Sequence, residues 1–220
     1  ITHFKEFIDV FGGFTDYAYL AHAVFGFFNC GGKECIVVRT AHQAKNQEDN
    51  EEKKNAAAKA FLCIKSPDNK DALEISAKSE GMWGDSIQVK LWYASDVTTK
   101  VTKNIKAGKN TLEVQSPAEL NEGDCICIYG KENKEYKRIS AVAENTIQLS
   151  SPCKYGYKVD KEQVYCEKLL INLLVLYKKD VEEYLYLSLN PGDPNYYLDE
   201  VNDQSLLIEL KEHVNDTNNQ

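Results

Sequence analysis

The 220-residue chain carries 34 Asp and Glu against 26 Lys and Arg, a formal net charge of -8. The attraction that drives binding to a phosphate backbone is therefore missing overall, which excludes nucleic acid as an expected partner. An acidic surface also disfavours anionic lipid, and membrane insertion is not expected: no apolar run approaches the roughly 20 residues that cross a bilayer, and the longest, Leu169 to Tyr177, is interrupted by Asn172.

The length is enough for a sizeable core and for one domain interrupted by another. No basic-then-apolar leader opens the chain, and the sequence reads as an excised piece of a longer protein. Seven cysteines are an odd count. Cys125 and Cys127 sit two apart in an alternating segment and read as small hydrophobes, so free thiols in a reducing compartment are expected rather than a disulfide scaffold.

In chain order, Phe4, Phe7, Ile8 and Phe11 fall at i, i+3, i+4 and i+7, one helical stripe that Gly12-Gly13 ends. A second helix is expected from Thr15 or Asp16, with Tyr17, Leu20, Ala21, Val24 and Phe28 on one face and Gly31 as its stop. Cys35-Ile-Val-Val38 is a continuous apolar run, the pattern of a central strand covered on both faces. Gln43 to Lys59 is polar and charged and reads as an exposed loop or short solvated helix. Leu73 to Ala77 and Ile87 to Tyr93 read as strands around Ser79-Glu-Gly-Met-Trp-Gly-Asp-Ser86, where Gly81 and Gly84 bracket Trp83 and tuck its ring into a largely buried position at a sheet end.

From Thr98 the texture changes to short alternating segments separated by turn residues: Thr111 to Val114, Cys125 to Tyr129, Tyr136 to Ile139 and Thr146 to Leu149. Even spacing of this kind argues for a small inserted β-barrel or sandwich. Longer runs return after Val164. Leu169 to Tyr177 and Val181 to Leu189 form a strand pair, Tyr196 to Asn202 one or two helical turns, and Ser205 to Leu210 a last strand. The expected fold class is α+β, a mixed core domain of a sheet with packed helices over 1–97 and 165–220, interrupted by an all-β insertion over 98–164.

Chemistry is harder to find. His3, His22, His42 and His213 are scattered, with no two-His or Cys/His spacing of a zinc motif, so no metal and no cofactor are expected. Gly26, Gly31 and Gly32 follow a helix and precede a strand, the reverse of a phosphate loop. Cys35 opens an apolar strand, where a thiol is ordinarily buried and inert. Glu182 and Glu183 are adjacent and point to opposite faces of a strand, which makes them a poor acid and base pair. No catalytic residue is assigned, and the chain reads as a non-enzyme. The 13 tyrosines suit packing and, at an interface, protein contact.

Three blocks carry a resemblance. The first is Phe11-Gly-Gly13, Tyr19 to Val24, Phe27-Phe-Asn-Cys-Gly-Gly32 and Cys35-Ile-Val-Val-Arg39. The second is Ile75 to Asp85, with Gly81, Trp83 and Gly84. The third is Glu183 to Pro191 followed by Tyr196 to Ser205. In this order they resemble contractile-tail sheath proteins of phages and related contractile injection systems. There, a Phe-Phe stretch, a double glycine and a strand closed by arginine precede a Gly-Trp-Gly-Asn turn and a late segment ending in serine. Asp85 stands where that family usually has Asn. The family-motif positions are Phe27, Phe28, Gly31, Gly32, Arg39, Gly81, Trp83, Gly84, Asp85 and Ser205, all structural.

The resemblance implies a homo-oligomeric virion component. Its partners would be other sheath subunits in stacked rings or a helix, an inner tube protein and a baseplate. Assembly would take place in the bacterial cytoplasm, and function in a virion tail or extracellular particle. Segment 98–164 would be the β module that some sheath proteins carry outside the tail. The alternative is a binding module that contacts a surface glycan or protein through Tyr129, Tyr136, Tyr155 and Tyr157.

Overall fold

A computed structural model describes residues 1–40 and 57–213. The chain divides into two compact units, Ile1–Ala57 and Ala58–Gln220. Most of the Gln43 to Lys59 stretch lies outside the described residues.

The first unit holds α1 (Phe4–Phe11) and α2 (Leu20–Asn29). The start of α1 is fixed reciprocally. The His3 ring nitrogen accepts the Glu6 N–H at 2.9 Å, satisfying one orphan amide of the first turn, while the Glu6 carboxylate accepts the Thr2 N–H at 2.8 Å just before the cap. Phe7, Ala21 and Val24 form the buried cluster, with Phe4, Phe11, Phe28, Cys35 and Val37 packed against it. The second helix begins at Leu20, later than expected, because Thr15 and Ala18 close a small bridge instead.

The run Cys35-Ile-Val-Val38 does not become a central strand. It is extended chain outside any sheet, and Cys35 exchanges backbone hydrogen bonds of 2.9 and 3.0 Å with Ile1 alone. Cys35 and Val37 face the helices, whereas Ile36 and Val38 are 90% and 79% exposed. A β-branched run encodes extended backbone, but it does not encode a second cover.

Among its described residues the second unit is built from twelve strands and one α-helix. Strands β1 (Phe61–Lys65) and β2 (Asp71–Ala77) pair with the last strand, β12 (Ile208–Glu212), in the order β1-β2-β12. Strands β3 (Gln88–Ala94), β10 (Leu170–Tyr177) and β11 (Asp180–Ser188) form a second sheet in the order β11-β10-β3. Between these sheets lies a core of Ile75, Ile171, Leu173, Val175, Tyr184, Leu187, Ile208 and Leu210, against which α3 (Tyr197–Gln204) packs Tyr197 and Val201.

The six remaining strands are β4 (Thr98–Lys100), β5 (Thr111–Glu113), β6 (Cys125–Tyr129), β7 (Lys134–Ala143), β8 (Thr146–Leu149) and β9 (Tyr165–Lys168). They run β4-β9-β6-β7-β8-β5 and curl until the outer strands touch through a Val101–Val114 bridge. Ile126, Ile128, Ile139, Ile147, Leu149, Tyr157 and Val164 fill the curl.

Among the described residues the protein is thus mostly β, with three sheets and three α-helices, which corrects the α+β class. The physical reason is where the helices bury their apolar stripes. Helices α1 and α2 pack chiefly on each other in the first unit, and only the eight-residue α3 adds helical cover to the core of the second.

A buried polar seam joins the six-stranded sheet to the rest of its unit. Asp124, 1% exposed, accepts from Lys168 Nζ at 3.1 Å and from Asn190 Nδ2 at 2.9 Å. Lys168 also reaches Asp193 at 3.4 Å, and Asn190 Nδ2 donates to the Glu122 carbonyl at 2.8 Å. Gly123 has φ +90°, and a β-carbon there would stand 2.4 Å from Asn190 Oδ1, so the seam requires glycine at this position.

Candidate assembly surface

The sheet β11-β10-β3 has two apolar faces, because β10 is hydrophobic at nearly every position and a strand sends alternate side chains to opposite sides. One face, through Val89, Leu173, Val175 and Tyr184, closes the core. Register places Lys90, Leu174 and Glu183 in one row of the other face, with Gln88, Leu176 and Val181 in the next. Alternation adds Trp92 and Leu185. Leu174, Leu176 and Trp92 are half-buried, Leu185 is exposed, and Val181 is 62% exposed. Lys90 lies 5.1 Å over the Trp92 ring, and with exposed Gln88 and Glu183 it interrupts the apolar side chains of this face. A groove of about 280 Å³ opens on the core side of this sheet, lined by Phe61, Leu62, Gly84, Asp85, Ile87 and Val89 among others.

Most of the residues singled out in the three sequence blocks serve packing and turns. Gly31 stops α2 with φ +89°. A β-carbon on Gly32 would meet the Phe27 ring at 2.3 Å, so the second glycine leaves room for that ring to fold back. Phe27 is exposed and meets half-buried Phe28 edge-on at 5.2 Å. Arg39 stands on the exposed end of the extended segment.

In the second unit, Gly81 has φ +121° and opens a 3₁₀ turn over Met82–Ser86. Gly84 is buried so closely that a β-carbon would sit 2.8 Å from those of Ala60 and Ala77. Asp85 is exposed. Trp83, expected to be largely buried, is half-buried: its ring meets Tyr177 edge-on at 5.3 Å and its indole N–H donates to the Glu80 carbonyl at 3.2 Å.

Ser205 is 2% exposed. Its hydroxyl donates to Glu182 at 2.6 Å and accepts the N–H groups of Leu207 and Ile208 at 3.2 and 2.9 Å. Glu182 also accepts the Leu206 N–H at 2.9 Å. The second and third blocks therefore meet around one core, while the first forms the helix end of the other unit. Glu182, which the sequence offered only as half of a poor acid and base pair, is the residue that reasoning from sequence missed. No local spacing marks it, because its partner lies 23 positions away.

The cysteines are all free. Burial, with the neighbouring Glu135 charge, pushes the Cys153 thiol up to about 11. Burial and then Cys127 and Glu167 push Cys166 up to about 12. Neither supplies a thiolate near neutral pH. Cys35 is half-buried against α1 and α2, and His22 stacks on Phe14 at 4.6 Å.

The outer face of β9-β6-β7 carries a smaller aromatic feature. Tyr129 and Tyr165 are register partners with ring centroids 5.7 Å apart, and exposed Tyr136 lies under Lys134 at 5.3 Å. An open cleft of about 370 Å³ beside them is lined by Tyr129, the Gly130–Asn133 turn, Lys134 and Glu167. Tyr157 is fully buried inside the curl, and burial raises its hydroxyl pKa well above the usual range. Tyr155 packs against the same interior. Of the tyrosines expected to contact a ligand, Tyr129 and Tyr136 thus reach the outer face.

No family model matches the chain, and no curated protein matches it. Among solved structures, a partial likeness is found to the Gp54 tailspike of Acinetobacter baumannii bacteriophage AP22, solved in complex with A. baumannii capsular saccharide. It has a TM-score of 0.31 and 15% identity and covers 36% of this chain and 15% of the tailspike, a level that marks neither a shared fold nor a shared function.

Proposed function

We propose that this chain is a structural subunit of a contractile-tail sheath, in a phage tail or a related injection apparatus. It polymerises around an inner tube and shortens when a baseplate releases it. The observation that carries the reading is the second apolar face of β11-β10-β3, with Trp92, Leu174, Leu176, Val181 and Leu185. Large apolar side chains gathered on an exposed sheet face and edged by charged groups mark a protein contact. The ordered motif blocks point to the sheath family in particular, and their residues pack, cap and turn. Heterologous contacts between identical subunits build an open helical tube, and work is stored as the difference between two packings of folded subunits. No bound cofactor and no turnover enter this mechanism.

The test is negative-stain electron microscopy of the full-length parent protein, alone and with its tube protein. Long hollow sleeves are the expected result. Persistently monomeric protein under both conditions would overturn the reading.

A second reading rests on the Tyr129–Tyr165 pair and its cleft. Stacked, half-exposed tyrosines with flanking Lys134 and Glu167 suit a surface glycan or peptide. Glycan-array binding by the protein, lost on Tyr129→Ala, would favour it.

A further inference from the structure

We propose that Cys63, Glu74 and His213 form a zinc-binding site on the outer face of the β1-β2-β12 sheet, whose metal fastens both flanking strands to β2.

The placement follows from register. Cys63 on β1 is the direct partner of Glu74 on β2, so their side chains leave the same face of the sheet. On the other side Glu74 is the partner of Lys211 on β12. His213, two residues beyond Lys211, returns to that face, and its N–H donates to the Ala72 carbonyl at 3.0 Å, extending the ladder past the strand's end. The three side chains are half-buried, and their ligand atoms all lie within 4.8 Å of one another. In a tetrahedral zinc site, bonds of roughly 2.0–2.3 Å put ligand atoms about 3.5 Å apart. Small χ rotations close that difference, and His213 Nε2 already lies 3.3 Å from Glu74 Oε2.

The donor set selects the metal. One thiolate and one imidazole are soft and borderline donors that favour zinc over magnesium or calcium, and the single carboxylate completes a mixed S, N, O triad. Thiolate and carboxylate together carry two negative charges, which the dication neutralises. The Cys63 proton leaves on binding, and water takes the fourth position. Without metal, the His213–Glu74 contact ties the end of β12 to β2. With metal, β1 is linked to the end of β12 across β2, joining positions 150 residues apart in sequence. No local Cys/His spacing announces such a site.

The experiment uses the full chain, stripped of metal, in a cobalt titration followed by absorbance and a zinc titration followed by calorimetry. One equivalent per chain is expected, with a thiolate-to-cobalt charge-transfer band. Cys63→Ser should abolish the band, and Glu74→Gln and His213→Ala should each weaken zinc at least about tenfold. The metal-free variants should keep the wild-type circular dichroism. Zinc should raise the thermal midpoint of the wild type and leave that of Cys63→Ser unmoved. No binding, or a band and affinity unchanged in Cys63→Ser, would overturn the proposal. If that variant does not fold, alkylation of the unmutated chain decides. Zinc-dependent protection of Cys63 among the seven thiols supports the site, and equal labelling with and without zinc overturns it.

Discussion

Ser205 shows how much one hydroxyl can hold. It donates to Glu182 and accepts two backbone N–H groups, so Ser205→Ala leaves two amides without that acceptor and Glu182 with one donor fewer, the Tyr184 hydroxyl and Leu206 N–H remaining. A loss of about 1–3 kcal/mol is expected, read as a lower urea midpoint with an unchanged m value. Asp193 and Lys168 set the pH response of the seam. Burial works against the charged form of Asp193, but the Asn195 N–H, Ser188 and Lys168 outweigh it and hold the carboxyl below its ordinary value. Its contribution is therefore present above the unfolded carboxylate range and fades as pH falls through the lower folded value. Burial likewise opposes the Lys168 charge, yet Asp124 and then Asp193 raise its pKa. That contribution is present below the ordinary lysine value and fades only as pH rises through the higher folded one. The thermal midpoints of wild type and Asp193→Asn should accordingly differ at neutral pH and converge on acidification.

Among the elements, β10 decides the most. Its Asn172 looks in sequence like an interruption, yet the side chain is buried and accepts the Tyr186 N–H at 2.7 Å, where β11 bulges with Tyr186 at φ +56°. Strands β8 and β10 were readable because burial follows side-chain period in β8 and sheer apolar length marks β10, and β6 was readable from its alternating residue types although its centre is buried on both faces. Strand β1 was not, since Phe-Leu-Cys-Ile-Lys neither alternates nor carries turn residues at its start. The three-residue β4 is too short for any period to appear. Cys35 to Val38 was misread because local sequence specifies extension but not partners. The zinc triad was hidden for the same reason, its members being brought together only by strand pairing across the whole unit. The outer face of β10 and β11 gives the prediction at this scale: Val181→Lys with Leu185→Lys should change stability by no more than about 0.5 kcal/mol per exposed site while abolishing sleeve formation. Loss of folding, seen by circular dichroism, or intact sleeves would count against that role.

At the scale of the whole molecule, the chain enters and leaves the six-stranded sheet at one place. Ala94 at the end of β3 is the register partner of Leu170 at the start of β10, so residues 95–169 leave and return at neighbouring points. Replacing them with an Asn-Gly turn should close a hairpin, leave the remaining sheets folded, and leave sleeve formation intact if the module is decoration. Assembly lost from a folded deletion variant would instead make the module part of the tube. The seam tempers this, because Asn190 and Asp193 lose Asp124 and Lys168 as partners, and some stability is expected to go with them.

The same splice has an evolutionary meaning. Because β3, β10 and β11 form one antiparallel sheet with the long excursion inserted at its first bend, recombination at that bend can exchange one outer module for another without shifting any core register. A lineage could change the surface that the six-stranded sheet presents by swapping a cassette, while the register of the remaining sheets stayed the same.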